Sequence, residues 1–147
     1  MKDGRAAGAR AADGYSGTPL ARKLGIIEHA RVAFVRPPDG FADSLALPPG
    51  VRVLGQARAP LDVVVLFVTR RSELARRFPG LAGALRAGGG LWVAWPKRAS
   101  KVCTDLTEQV ARDVGLAAGL VDNKVCAIDE TWSGLRFVHR AGRGLRR

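Results

Sequence analysis

Six basic side chains fall in three short loops. Arg36 leads RPPDG, Arg70 and Arg71 stand in TRRS, and Lys97, Arg98 and Lys101 lie in PKRASK. A guanidinium presents a fork of N–H donors that matches the oxygens of a phosphate or carboxylate, while an ammonium adds a compact charge. Ser72 follows the arginine pair, where its hydroxyl can cap the helix predicted to begin there, and a helix start attracts anions through its unsatisfied amides. Asp39 is the only acid in these three loops. Anion binding is the chemistry this set could perform.

Acid–base and nucleophilic chemistry is harder to assemble. Asp39, Asp105, Glu108, Asp129 and Glu130 are the carboxylates worth weighing. Asp105 and Glu108 have the spacing of a capping box, and Asp129 with Glu130 suits a hairpin turn. Ser16, Ser72, Thr104 and both cysteines have no histidine near them in sequence, and His29 and His139 stand alone. Cys103 and Cys126 are too few for a disulfide framework and are not spaced as metal ligands, so no metal is expected. Cys126 lies in an apolar stretch and reads as a small core residue, whereas Cys103 is nearer a loop. No catalytic residue and no cofactor is assigned, and the reading leans away from an enzyme.

A formal charge of +11 over 147 residues admits nucleic acid, acidic lipid or a phosphorylated ligand without choosing among them. Solvated surface arginine is the competing explanation. The ladder of basic and aromatic residues that marks single-strand nucleic-acid binding is not evident. An apolar share of 47% fits an ordinary globular domain. The apolar runs stay short of the roughly 20 residues that span a bilayer, and the N-terminus is too polar for a signal peptide, so a cytoplasmic location without membrane contact is expected.

The elements that must position these loops are legible from 61 to 96. Val63 to Val68 is an apolar run that reads as a strand buried on both faces. Leu74, Phe78, Leu81 and Leu85 then share a helical face, with a kink or break expected at Pro79. Gly88, Gly89 and Gly90 are read as the end of that helix, and Leu91 to Trp95 as a second buried strand parallel to the first. Trp95 is expected to wall the crevice, and Trp92 and Trp132 to pack in the core.

Before this unit, residues 1–14 look like a disordered leader. Pro19 to Leu24 is predicted as a short helix capped by Thr18 and ended by Gly25. Packing of Tyr15 is favoured over a ligand-contacting loop at Tyr15 and Ser16. Arg31 to Arg36 and Val51 to Leu54 are predicted strands, FADSLAL is a short helix at best, and the link on to Asp62 is too short for a helical crossover. Beyond the fourth strand, Thr104 or Asp105 is expected to cap a helix whose buried stripe is Leu106, Val110 and Val114. Residues 120–139 form an antiparallel hairpin, and 140–147 a basic tail with Arg140, Arg143, Arg146 and Arg147. One α/β domain over 15–139 is expected, with a mainly parallel open sheet.

That alternation, closed by a hairpin, is similar to the S-adenosylmethionine-dependent methyltransferase version of the Rossmann-like fold. The resemblance implies a strand order of 2-1-3-4-6-5. Its cofactor site wants glycines after the first strand and a carboxylate after the second. Here Arg36-Pro37-Pro38-Asp39-Gly40 and Leu54-Gly55-Gln56 occupy those places, and Thr69-Arg70-Arg71-Ser72 follows the third strand. A closer resemblance lies in whole phrases. GYSGTPLARKLGI, DVVVLFVTRRSEL, GGGLWVAWPK, TDLTE and GLVDNKVCAIDETWSGLRFV look like the bacterial family called domain of unknown function 3052, over roughly residues 14–139. That family implies no activity, cofactor or catalytic residue.

In such a sheet a ligand settles beyond the carboxyl ends of the strands where their order reverses, here between the first and third. The three basic loops meet at that edge. The expected protein is a non-catalytic ligand-binding or interaction module with an anion-binding crevice formed by Arg36, Arg70, Arg71, Ser72, Lys97, Arg98 and Lys101. An anionic small molecule, a protein or nucleic acid is the expected partner. The alternatives are an enzyme, either a degenerate methyltransferase or one acting on a phosphorylated small molecule, and a nucleic-acid binder.

Overall fold

A computed structural model describes residues 19–140. The leader 1–14, Tyr15, Ser16, the Thr18 cap and the tail beyond Arg140 lie outside the described residues.

The apolar runs become strands of one sheet. β1 (Arg31–Val35), β2 (Arg52–Leu54), β3 (Leu61–Phe67), β4 (Leu85–Pro96), β5 (Leu120–Ala127) and β6 (Trp132–His139) stand in the order β2-β1-β3-β4-β6-β5. β1 pairs parallel with β2 and β3, and β3 pairs parallel with β4. β6 runs antiparallel to β4 and β5. Both the order and the closing hairpin agree with expectation. Every β3 side chain except Asp62 is buried, as a strand covered on both faces requires.

The helices are α1 (Leu20–Lys23), α2 (Arg71–Ala84) and α3 (Glu108–Ala117). α2 is unbroken although Pro79 lies within it. Leu74, Phe78 and Leu81, on both sides of the proline, are buried in the core, and this shared face holds the two halves on the sheet. Pro79 itself is exposed, so the helical bond its missing amide proton forgoes leaves a carbonyl that water can reach. FADSLAL supplies only a 3-10 turn at Ala42–Ser44, and residues 55–60 link β2 to β3 without a helix.

The glycine run does not end α2 but lies inside β4, and Leu85 opens that strand instead of extending the helical face. Pairing jumps from Leu61↔Leu85 to Val63↔Gly90, so residues 86–89 bulge from the ladder opposite Asp62. A Cβ on Gly89 would lie 2.9 Å from the Leu61 carbonyl oxygen. The cap of α3 also differs from expectation. Thr107 accepts the Val110 amide at 3.1 Å, and Glu108, already inside the helix, pairs with Arg112 four residues on.

One sheet face is covered by α2 and α3 around Leu74, Phe78, Trp95 and Phe137. The other is covered by α1 and loop residues around Phe41, Phe67 and Trp92. Trp92 is fully buried, and its indole N–H donates to the Leu24 carbonyl at 3.0 Å, pinning the end of α1 to the sheet. On the α3 side, Gly115 lies directly against the ring of Phe137, which meets Phe78 edge-on at 5.2 Å. Alanine at Gly115 would gain about 1 kcal/mol of helix propensity. Overpacking a filled core costs about 1–3 kcal/mol, and the Phe137 ring has no exposed direction in which to turn. The added Cβ would overlap the Phe137 ring itself, which puts the cost at the upper end of that range, about 2–3 kcal/mol, so Gly115→Ala should lower stability by about 1–2 kcal/mol in urea unfolding. Unchanged or higher stability would show that the ring moves aside freely.

Candidate functional site

β1 and β3 are parallel neighbours whose chains leave toward opposite sides of the sheet, β1 to β2 and β3 to β4. The loops beyond their carboxyl ends diverge and leave a crevice between them. A cavity of about 340 Å³ opens there, and its walls include Arg36, Pro37, Phe67, Thr69, Glu73 and Trp132. Arg36, the residue just after β1, lies in the left-handed region with φ 54°, which a residue with a Cβ seldom adopts, and so turns the chain sharply at the mouth. Its side chain is 61% exposed.

Within this wall Glu73, in the first turn of α2, takes two arginines on one oxygen. Its Oε2 accepts from Arg77 Nε at 2.8 Å and lies 3.2 Å from Arg36 Nε. The floor is aromatic. Phe67 and Trp132 meet edge-on at 5.1 Å, and Phe41 stands edge-on to Phe67 at 4.8 Å.

Of the expected anion ligands, Arg36 is the one that lines this cavity. Arg70, Arg71 and Ser72 are exposed at the start of α2, beyond the carboxyl end of β3. Lys97, Arg98 and Lys101 surround the 3-10 turn Arg98–Ser100 beyond the end of β4, with Lys101 also left-handed at φ 64°. All seven therefore share the carboxyl edge of the sheet, and six form its outer rim.

Three expectations do not hold at this edge. Ser72 does not cap α2: Arg70 is the N-cap residue and no side chain from the helix's own start fills that role. Instead Asp105, from the segment before α3, accepts the Arg71 amide at 2.7 Å. Beside it, Thr104 donates its hydroxyl to the Thr69 carbonyl at 2.6 Å, so this pair ties the α3 approach to the end of β3 and does not cap α3. Trp95 does not wall the crevice. It is buried among α2 and α3 residues, whereas Trp132 lines the cavity on the opposite face. The reason is the two-residue period of a strand: Trp92 and Trp95, three apart on β4, must face opposite ways.

Asp39 is exposed on the β1 loop, and Asp129 Oδ1 accepts the amides of Thr131 and Trp132 at 2.8 Å, as a turn residue does. The sequence reading missed Glu73 and Arg77, although their four-residue spacing is that of a helical ion pair. Among the described residues no group of three His, Cys, Asp or Glu side chains could hold a metal ion. Cys126 is half-buried, and burial pushes its thiol pKa up, which suits a packing residue better than a nucleophile. Cys103 is exposed. No helix among the described residues is long and apolar enough to cross a membrane.

The sheet order, its parallel core and the reversed β6 define a methyltransferase-like Rossmann fold. Solved structures agree. Fibrillarin from Methanococcus jannaschii, a pre-rRNA processing protein, is 13% identical with a TM-score of 0.55, over 78% of this chain and 68% of its own. Fibrillarin from Aeropyrum pernix, solved with natively bound S-adenosyl-L-methionine, is 18% identical with a TM-score of 0.55, over 81% and 73%. Mitomycin 7-O-methyltransferase is 11% identical with a TM-score of 0.62, over 82% of this chain and 53% of its own. The chain thus spans between 53% and 73% of the length of these three, and at such identities the likeness is one of fold. No family model matches the chain, and no curated protein does.

The residues at this edge lack two features that the resemblance implies for S-adenosylmethionine. Pro37 and Pro38 offer no amide protons where a ligand would need donors, and Leu54-Gly55-Gln56 after β2 carries no carboxylate for ribose hydroxyls. What the edge does offer is arginine. Its helix start is already occupied, and this can be tested. Asp105→Ala removes the one side-chain cap of α2 and should lower stability by about 1 kcal/mol in chemical denaturation, with Asp105→Asn intermediate. An Ala variant as stable as wild type would mean that water replaces the cap without loss.

Proposed function

We propose that the protein is a ligand-binding module that uses a methyltransferase-like sheet without methyl transfer of its own, taking a small anion at the carboxyl edge. The observation that carries this reading is Arg36, left-handed and largely exposed at the mouth of the crevice between β1 and β3. A residue held in a rare backbone conformation at a fold's usual ligand position is a reason to look for function there. Arg70, Arg71, Lys97, Arg98 and Lys101, with Ser72, form the outer rim that draws the anion in. Glu73 and Asp105 moderate the field and make the rim less positive than the loop sequences alone imply. The ligand class is a small phosphorylated or carboxylated molecule. Membership of the family called domain of unknown function 3052, with one domain over 15–139, belongs to the same proposal.

A second reading, an enzyme of degenerate methyltransferase type, is favoured by one observation: the Aeropyrum pernix fibrillarin of the same fold was solved with S-adenosyl-L-methionine bound. Two measurements separate the readings. Inorganic phosphate titrated into the wild type should shift the amides of residues 69–73 and 96–101. Replacing Arg70, Arg71 and Arg98 together by alanine should weaken that binding about tenfold, a sum of exposed pairs each contributing modestly, and leave thermal stability nearly unchanged. Equal phosphate responses in both proteins would remove the rim from the site. Stabilisation of the wild type by S-adenosylmethionine would favour the enzyme.

A further inference from the structure

The cavity at the β1/β3 edge has a neighbour. A second one, of about 310 Å³, opens toward β2 and is lined by Ala33, Leu54, Gly55, Gln56 and Arg77. Arg36 lines both cavities, Glu73 lines the first and Arg77 the second. The cluster Arg36–Glu73–Arg77 is therefore their shared wall, and it is held together by a single carboxylate oxygen lying 3.2 Å and 2.8 Å from the two Nε atoms.

We propose that Glu73 is an internal competitor: its carboxylate fills the anion position between Arg36 and Arg77, and a bound anion takes that position by displacing it. This rests on the reading of the edge as an anion site, and it assigns that site its central pair of ligands and its regulation. Two guanidiniums converging on one oxygen form the arrangement that recognises an oxyanion. The carboxylate in that position is tethered to α2, so it neutralises the arginines when no ligand is present and prevents their mutual repulsion. Only the Glu73 side chain has to leave, since α2 is held by Leu74 and Phe78, which are fully buried. Its departure removes the centre of the shared wall and joins the two cavities into one trough across the ends of β2, β1 and β3. An anion with an extended body, such as a phosphorylated small molecule, then lies along the trough with its charged group between the arginines.

Glu73→Gln keeps the size of the side chain and removes its charge. Measured by calorimetry with inorganic phosphate as the probe, this variant should bind about three- to tenfold more tightly than wild type, the range expected from losing two partly exposed ion pairs. Adding Arg36→Ala or Arg77→Ala to Glu73→Gln should abolish the gain. Circular dichroism melting of each variant shows whether it is folded, and Glu73→Asp, which shortens the tether, serves as a second probe with an intermediate gain. Binding by Glu73→Gln with none detectable in wild type would support the competitor role in its strongest form. Equal or weaker binding by Glu73→Gln, in a protein whose rim-substituted variant does lose phosphate, would overturn the competitor role and leave the anion site standing. Absence of phosphate binding in wild type and Glu73→Gln alike would overturn both.

Discussion

Burial of β3 and β4 on both faces is the constraint from which the rest of the structure follows. Two parallel strands in the middle of a sheet, with Val64, Val65, Leu66, Leu91, Trp92 and Val93 all withdrawn from water, must be covered above and below. α2 and α3 cover one face. The other has only the single turn of α1 and the chain around Phe41, so much depends on side chains large enough to fill the layer without a long helix. Trp92 meets that need with its bulk and with the indole hydrogen bond to Leu24, which satisfies a polar group inside an apolar layer.

The same constraint shapes the carboxyl edge of the sheet. Because β1, β3 and β4 are parallel, their carboxyl ends share one side, and each loop leaving them contributes charge there. Like charges gathered on one edge repel, and the chain offsets this with carboxylates brought from outside the loops: Glu73 between Arg36 and Arg77, and Asp105 on the first amide of α2. Asp105 does two things at once, since it satisfies a helix start and fixes the segment before α3 against the end of β3. Together with the Thr104 bond to the Thr69 carbonyl, this ties the approach to α3 to the end of β3. The likeness to methyltransferases lies in the sheet that creates this edge.

The elements and their order along the chain were legible in the sequence, because uninterrupted apolar runs and helical spacing are local signals. It also placed Arg36, Arg70 and Lys97 after strands, from which a common edge follows once the strands are parallel. The glycines at 88–90 misled because an end of helix and a bulge in a strand both favour glycine, and only pairing with Leu61 and Val63 distinguishes them. The face taken by Trp95 was readable from its spacing to Trp92. The charge environment came only with packing: Asp105 meets the Arg71 amide across a separation of 34 residues, and Arg36, in the loop after β1, reaches Glu73 on α2. Neither contact has a periodic signature, since each exists only where two chain segments end at the same edge of the sheet, and that coincidence is a property of the packed fold.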